Sequence, residues 1–303
     1  MSKAIGLDLG GTKILAVLLD NGKVVREHEV PTPQSGYHDV LAALAQAAQA
    51  VHSGPLPVGL CAPGPFDYVA GKITFSPNIA GLENEPLVTD LARELHTSVL
   101  LENDANAAAY AEHRLGAAAG TTSSVFITVS TGIGAGIIIG DHIVRGAHGL
   151  AGEIGHMTLL PGAAIGTDGH AGTLETIASG RGLARDATYI YSRATSTAQL
   201  FALAAAGNDL AERITAHAAD QIGLAVANLV KIIDPERFVF GGSVVAKNPW
   251  FLTRIAERAE AHARGFAVPT LVPATLGSQA GAIGAGMLAQ SPAAVYGVGE
   301  RSL

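Results

Sequence analysis

Residues 4–9 form a short apolar run, Gly10-Gly11-Thr12-Lys13 a tight turn, and residues 14–19 a second apolar run closed by Asp20-Asn21-Gly22. Six residues between two turn signals are too few for an ordinary helix, so the pattern predicts strand, glycine turn, strand. This disfavours the two familiar glycine-rich nucleotide loops, because a Walker loop and a dinucleotide fingerprint both need a helix directly after the glycines. The same order returns in residues 124–129, 130–136 and 137–141. Two matched units predict an internal duplication, each half opening a domain with its own phosphate-facing turn and the boundary falling near residues 116–120.

The chain has 303 residues, of which 48% are apolar and 15% charged, which excludes a disordered chain and leaves material for two cores. Apolar residues at helical spacing between Tyr37 and Ala48, and again between Leu210 and Ile233, alternate with strand-like runs at 58–60, 98–101 and 237–240. The fold class is therefore α/β. A net charge of −7, with no strongly basic stretch, argues against nucleic acid as a partner. Cys61 is the sole cysteine, so neither an intrachain disulfide nor a cysteine-rich zinc site can form. Apolar runs fall far short of the ~18 residues of a membrane span, and the first residues lack the apolar stretch of a signal peptide. A cytoplasmic protein without a membrane partner is expected.

Several segments carry chemistry. Glycines let a backbone approach a phosphate without an intervening Cβ, Thr12 and Thr131 add hydroxyls, and Lys13 adds a point charge. Asp104 stands where a buried strand gives way to an alanine-rich helix. An aspartate there either caps the helix or takes the proton of an alcohol attacking a phosphoryl group. Gly152-Glu153-Ile154-Gly155-His156 offers a carboxylate and an imidazole three residues apart, suited to sugar hydroxyls, and Glu175 at a helix start does the same or complements the helix dipole. Gly241-Gly242 closes a strand ahead of a helix expected near Trp250, as a place for a base or ribose or as a plain loop. The Gly- and Ala-rich residues 280–288 suit close packing against another helix, and residues from 291 onward read as a loose tail.

Taken together these segments resemble the ROK family of bacterial sugar kinases, transcriptional repressors and related open reading frames. The likeness runs from Asp8-Leu9-Gly10-Gly11-Thr12-Lys13 through Ser76-Pro77-Asn78, Glu102-Asn103-Asp104-Ala105-Asn106, Gly132-Ile133-Gly134-Ala135-Gly136 and Gly152–His156 to Gly241-Gly242. The resemblance implies the two-domain, actin-like (RNase H-like) ATPase fold with an interdomain cleft. One domain spans 1–118 with a returning C-terminal helix at about 280–303, and the other spans 119–279. It implies Asp104 as general base toward a hexose hydroxyl, and Gly64, Asn78, Asn103, Glu153, His156 and Glu175 as sugar partners. It also implies Gly10, Gly11, Thr12, Lys13, Thr131 and Gly132 as phosphate turns, Gly241 and Gly242 beside adenosine, ATP with Mg²⁺, and a homodimer.

One departure is informative. Kinases of this family often build a zinc site from the histidine of Gly-Glu-Ile-Gly-His and three cysteines in a following run. Here that run keeps its length and its final carboxylate, Glu175, but the cysteine positions read Gly166, Asp168 and Thr173. Zinc loses three thiolates, so no structural zinc is expected, and Asp168 with His170 reads as solvated. The function implied is ATP-dependent phosphorylation of a hexose, glucose first at its 6-hydroxyl. The alternatives are fructose, mannose or an N-acetylated hexosamine as acceptor, polyphosphate as donor, or a sugar sensor without turnover. A DNA-binding member is disfavoured because the first glycine turn begins at once, with no helix-turn-helix ahead of it.

Overall fold

The computed structural model describes residues 3–76, 79–166 and 169–292. Asn78 and Asp168 lie outside these residues; the last helix, expected to run to about residue 303, stops at Gln290 with Ser291 as its C-cap, and residues 293–303 lie outside the described residues. The chain opens with β1 (Ala4–Leu9), β2 (Lys13–Asp20), β3 (Lys23–Pro31), α1 (Tyr37–Val51), β4 (Val58–Ala62), β5 (Phe66–Asp67) and β6 (Lys72–Ile73). It continues through α2 (Leu87–Leu95), β7 (Val99–Asn103), α3 (Asp104–Arg114), β8 (Ser123–Val129), β9 (Ile133–Ile139) and β10 (His142–Ile143). Then follow α4 (Leu174–Ala178), α5 (Gly180–Tyr191), α6 (Thr197–Ala205), α7 (Asp209–Ile233), β11 (Arg237–Gly241), α8 (Ser243–Lys247), α9 (Pro249–Ala263), β12 (Leu271–Pro273) and α10 (Ala280–Gln290).

Two five-stranded sheets have the orders β3-β2-β1-β4-β7 and β10-β9-β8-β11-β12. The two orders match strand for strand: in each, the glycine hairpin supplies the second and third strands and later strands join on the far side. In the first sheet β1 pairs antiparallel with β2 and parallel with β4, and β4 pairs parallel with β7. Parallel strands covered on both faces read as continuous apolar runs, and all five residues of β4 are buried. β3, unannounced by the sequence, is an edge strand with mostly exposed residues, so it carries no apolar alternation to betray it. No helix among the described residues is long and apolar enough to cross a membrane.

The described residues divide into two compact units. The first draws on Met1–Thr122, Gly136–Ala151 and Leu276–Leu303, the second on Ser123–Ala135 and Gly152–Thr275. Residues 136–151 therefore go with the first unit rather than with the expected 119–279 domain. Two contacts explain it: a Cβ on Gly136 would lie 2.6 Å from the Ala105 carbonyl oxygen of α3, and Arg145 pairs with Glu102. In the first unit, one face of the sheet buries Leu7, Leu9, Ile14 and Leu60 with Val40 and Leu44 of α1. The other face receives α10, which approaches strands as well as a helix. A Cβ on Gly6 would meet the Ala282 carbonyl oxygen at 1.8 Å, and one on Gly284 would meet that of Ala107 in α3 at the same distance.

Two boundaries differ from expectation. β9 starts at Ile133, so the second turn is as short as the first, and Gly134 and Gly136 are strand residues. After β11 the chain enters α8 at once, before α9 begins at Pro249, so Gly242 directly precedes a helix that the sequence placed later.

Candidate active site

In the first unit the β1–β2 turn has its carbonyls taken up by the chain following β3. Thr32 Oγ1 donates to the Gly10 carbonyl at 2.6 Å, Gln34 Nε2 to that of Gly11 at 3.0 Å, and the Thr32 N–H to that of Thr12 at 3.0 Å. Among the described residues no acceptor meets the N–H groups of Gly11 and Thr12, so donors are what this turn offers outward. Such a row of backbone donors suits phosphate oxygens. Lys13 is not a lone point charge: its Nζ lies 2.6 Å from Glu29 on β3. Asp8, half-buried at the end of β1, is a functional candidate that the motif contained but chemistry alone did not single out. Burial pushes its carboxyl up to about 6, against the opposing effects of a hydrogen bond with Cys61 and the charge of Lys13.

Asp104 opens α3. The capping role open to it on sequence grounds belongs to Asn103, whose Oδ1 accepts the N–H groups of Ala105 at 2.9 Å and Asn106 at 3.2 Å. Asp104 is thus the first helical residue, with Oδ1 accepting the Ala105 N–H at 2.8 Å. His113 and Arg114 in the last turn and Asp104 in the first complement the helix dipole. Gly64 lies in the loop after β4 with φ of 115°, a conformation open to glycine.

In the second unit the turn Ser130–Gly132 is held in a similar way. The Gly180 N–H donates to the Ser130 carbonyl at 2.8 Å and the Arg181 N–H to that of Thr131 at 3.1 Å. Orphan donors at the start of α5 are satisfied by the hairpin, an arrangement signalled only by Ser179, whose Oγ caps this helix at the Gly182 N–H. Ser130 Oγ and Ser243 Oγ are 3.2 Å apart, so the Gly241-Gly242-Ser243 corner stands beside the second turn. Gly242 has φ of 85° and a Cβ there would lie 2.3 Å from the Val129 carbonyl oxygen.

Glu175 is already engaged: its Oε2 accepts the Ile133 N–H at 2.9 Å, and a Cβ on Gly132 would come within 2.3 Å of that oxygen. A residue expected to face sugar or a helix dipole thus also braces the second turn. A 3₁₀ turn at Ile154–His156 sets Glu153 Oε2 3.4 Å from His156 Nδ1, with both side chains partly exposed. The cysteine-free run folds on backbone hydrogen bonds: Leu159 N–H to Gly172 carbonyl at 3.0 Å, Gly172 N–H to Ala164 at 2.9 Å, and Gly166 N–H to His170 at 2.8 Å. The described residues include no cluster of three or more histidine, cysteine or carboxylate side chains fit for a metal.

Two matched sheets, two glycine hairpins with occupied carbonyls, and a carboxylate at a capped helix start are thus in place, and the ROK family model matches residues 4–292. The chain belongs to the ROK family. It is 35% identical to a glucokinase of Halalkalibacterium halodurans over 94% of each chain. Among solved structures it is similar to a ROK hexokinase from Thermus thermophilus, with 43% identity, a TM-score of 0.89, and coverage of 96% of this chain and 98% of that one. A ROK family glucokinase from Streptomyces griseus, in complex with glucose and AMPPNP, is 31% identical with a TM-score of 0.82, covering 96% of this chain and all of the other. As a ROK protein it has the α/β, actin-like ATPase fold of these neighbours.

Proposed function

We propose that this ROK protein is an ATP-dependent hexose kinase whose acceptor is glucose, with Asp104 as general base. The reading is carried by one observation: near-complete coverage of a glucokinase of the same fold that holds glucose and AMPPNP together. The position of Asp104 supports it, since the cap supplied by Asn103 fixes the backbone on both sides of the carboxylate.

In this reading Asp104 accepts the proton of the sugar hydroxyl as its oxygen attacks the γ-phosphorus in line. The bond to the β–γ bridging oxygen breaks, ADP leaves, and the proton on Asp104 passes to solvent. Backbone donors of the turns at Gly10–Thr12 and Ser130–Gly132 hold phosphate oxygens, while Gly241 and Gly242 let the nucleoside lie against backbone. Asn103, Glu153, His156 and Glu175 hold the remaining hydroxyls. Mg²⁺, when bound, neutralises charge on the transferring group. It needs only one or two carboxylates besides phosphate oxygens, and Asp8 beside the first turn is a carboxylate of the right type to hold it.

A coupled ADP-release assay over a panel of hexoses, run with ATP and with polyphosphate, tests the proposal. Glucose with ATP is expected to give the highest kcat/KM. Asp104→Ala is expected to lose turnover by about 10²–10⁴-fold while still binding glucose in calorimetry. Normal turnover by that variant would remove Asp104 from the role of base, and a wild type inert toward every hexose would remove the kinase.

A further inference from the structure

Glu102 stands two residues before Asp104, on β7, and is fully buried. Its Oε1 accepts the Tyr68 hydroxyl at 2.9 Å, the Asn103 N–H at 2.8 Å and Asn106 Nδ2 at 3.1 Å. Its Oε2 accepts Arg145 Nε at 2.9 Å and Nη2 at 2.8 Å, a two-pronged guanidinium contact. The Arg145 guanidinium also lies 4.3 Å from the centre of the Tyr68 ring, and a Cβ on Gly149 would come within 2.5 Å of that ring. Burial raises the Tyr68 phenol well above its ordinary range, so it stays protonated as a donor.

A buried ion pair of this kind is a weak device for stability alone, because desolvation offsets most of its attraction and apolar residues of the same volume serve as well. Its geometry suits another purpose. The donors converging on Glu102 come from three places: Tyr68 from the turn between β5 and β6, Arg145 from residues 144–151, and Asn103 and Asn106 from either side of Asp104. The backbone N–H before Asp104 and the side chain two residues after it are anchored to one carboxylate, and that carboxylate is in turn gripped by a guanidinium.

We propose that Glu102, fixed by Tyr68 and Arg145, is a positioning residue that sets the orientation of the Asp104 carboxylate. This rests on the kinase reading above and adds to it a residue that never touches the sugar. Glu102→Gln keeps the shape and an acceptor for Tyr68 and Asn103 but turns an NH₂ group toward the guanidinium, donor against donor. A base displaced by a fraction of an ångström to an ångström loses rate rather than nucleotide affinity.

The test compares kcat, KM for glucose and KM for ATP in wild type, E102Q, Y68F and E102Q/R145M, well below melting and with the folded fraction set by circular dichroism. For E102Q we expect kcat about 10–100-fold lower with KM for ATP within about twofold of wild type. Y68F keeps the ring and its stacking and so remains folded, and removal of one donor lowers kcat about fivefold. In E102Q/R145M the opposing guanidinium is gone, and kcat falls no further than in E102Q, as expected when two changes act on one shared contact. Wild-type kcat in both E102Q and Y68F, whatever happens to their stability, would overturn the proposal, as would a loss confined to KM for ATP. If the wild type phosphorylates no hexose the kinase reading fails and takes this inference with it. An active wild type and inactive D104A beside fully active E102Q and Y68F refute the inference alone.

Discussion

Gly284→Ala should weaken this protein although the change improves the helix in which it occurs. Alanine is favoured over glycine by about 1 kcal/mol in a helix interior, so propensity alone predicts a gain. Against that, the new methyl group would sit 1.8 Å from the Ala107 carbonyl oxygen, and that oxygen belongs to backbone with no rotamer to swing away. Ordinary contact needs about 3.4 Å, so α10 and α3 must separate by roughly 1.5 Å or tilt apart. Overpacking of this sort costs about 1–3 kcal/mol, and a backbone contact lies at the upper end. The net expectation is a loss of about 2 kcal/mol. It should also reach function, since Ala107 is one turn after Asp104 and a displacement near 1 Å lowers kcat by roughly 100-fold. Urea denaturation of wild type and variant with kcat for glucose measures both effects. A variant as stable as wild type or more so, with unchanged kcat, would show that helix propensity outweighs packing here and that α10 does not fix α3.

Two further predictions concern charge and metal. The Asp8 carboxyl is raised from 3.8 to about 6, so between these pH values the folded protein holds its proton more firmly than the unfolded chain, and stability declines as pH rises across that window. A shift of this size is worth up to about 3 kcal/mol, so Asp8→Asn should be more stable than wild type near pH 7 by up to that amount while losing Mg²⁺-dependent turnover; equal urea midpoints at pH 4 and pH 7 for both proteins would contradict it. Zinc is expected to be absent: metal analysis of purified protein should find none in stoichiometric amount, and activity lost to a chelator should return with Mg²⁺ alone. Recovery that required zinc would mean that the 166–175 run, with His156, holds a metal after all.

What could be read from the sequence was local. Gly10-Gly11 between two six-residue apolar runs reads as a hairpin, and its second copy pointed to the repeated sheet order that the two five-stranded sheets display. Asp104 at a strand-to-helix boundary was visible for the same reason, although the cap offered to it there proved to belong to Asn103, whose side chain bonds the helix amides. β3 escaped because an exposed edge strand has no apolar period to read.

The partners of these groups were decided by tertiary structure. Thr32 and Gln34 at the first turn, Gly180 and Arg181 at the second, Glu175 on Ile133, and Tyr68 and Arg145 on Glu102 are all distant in sequence from what they hold. Periodicity and turn chemistry act over a few residues and fix which groups can exist on a strand, a turn or a helix start. Hydrogen bonds between segments form only after strand pairing has set register, and a one-residue change of register would carry Glu102 to the other face of its sheet without altering any local pattern.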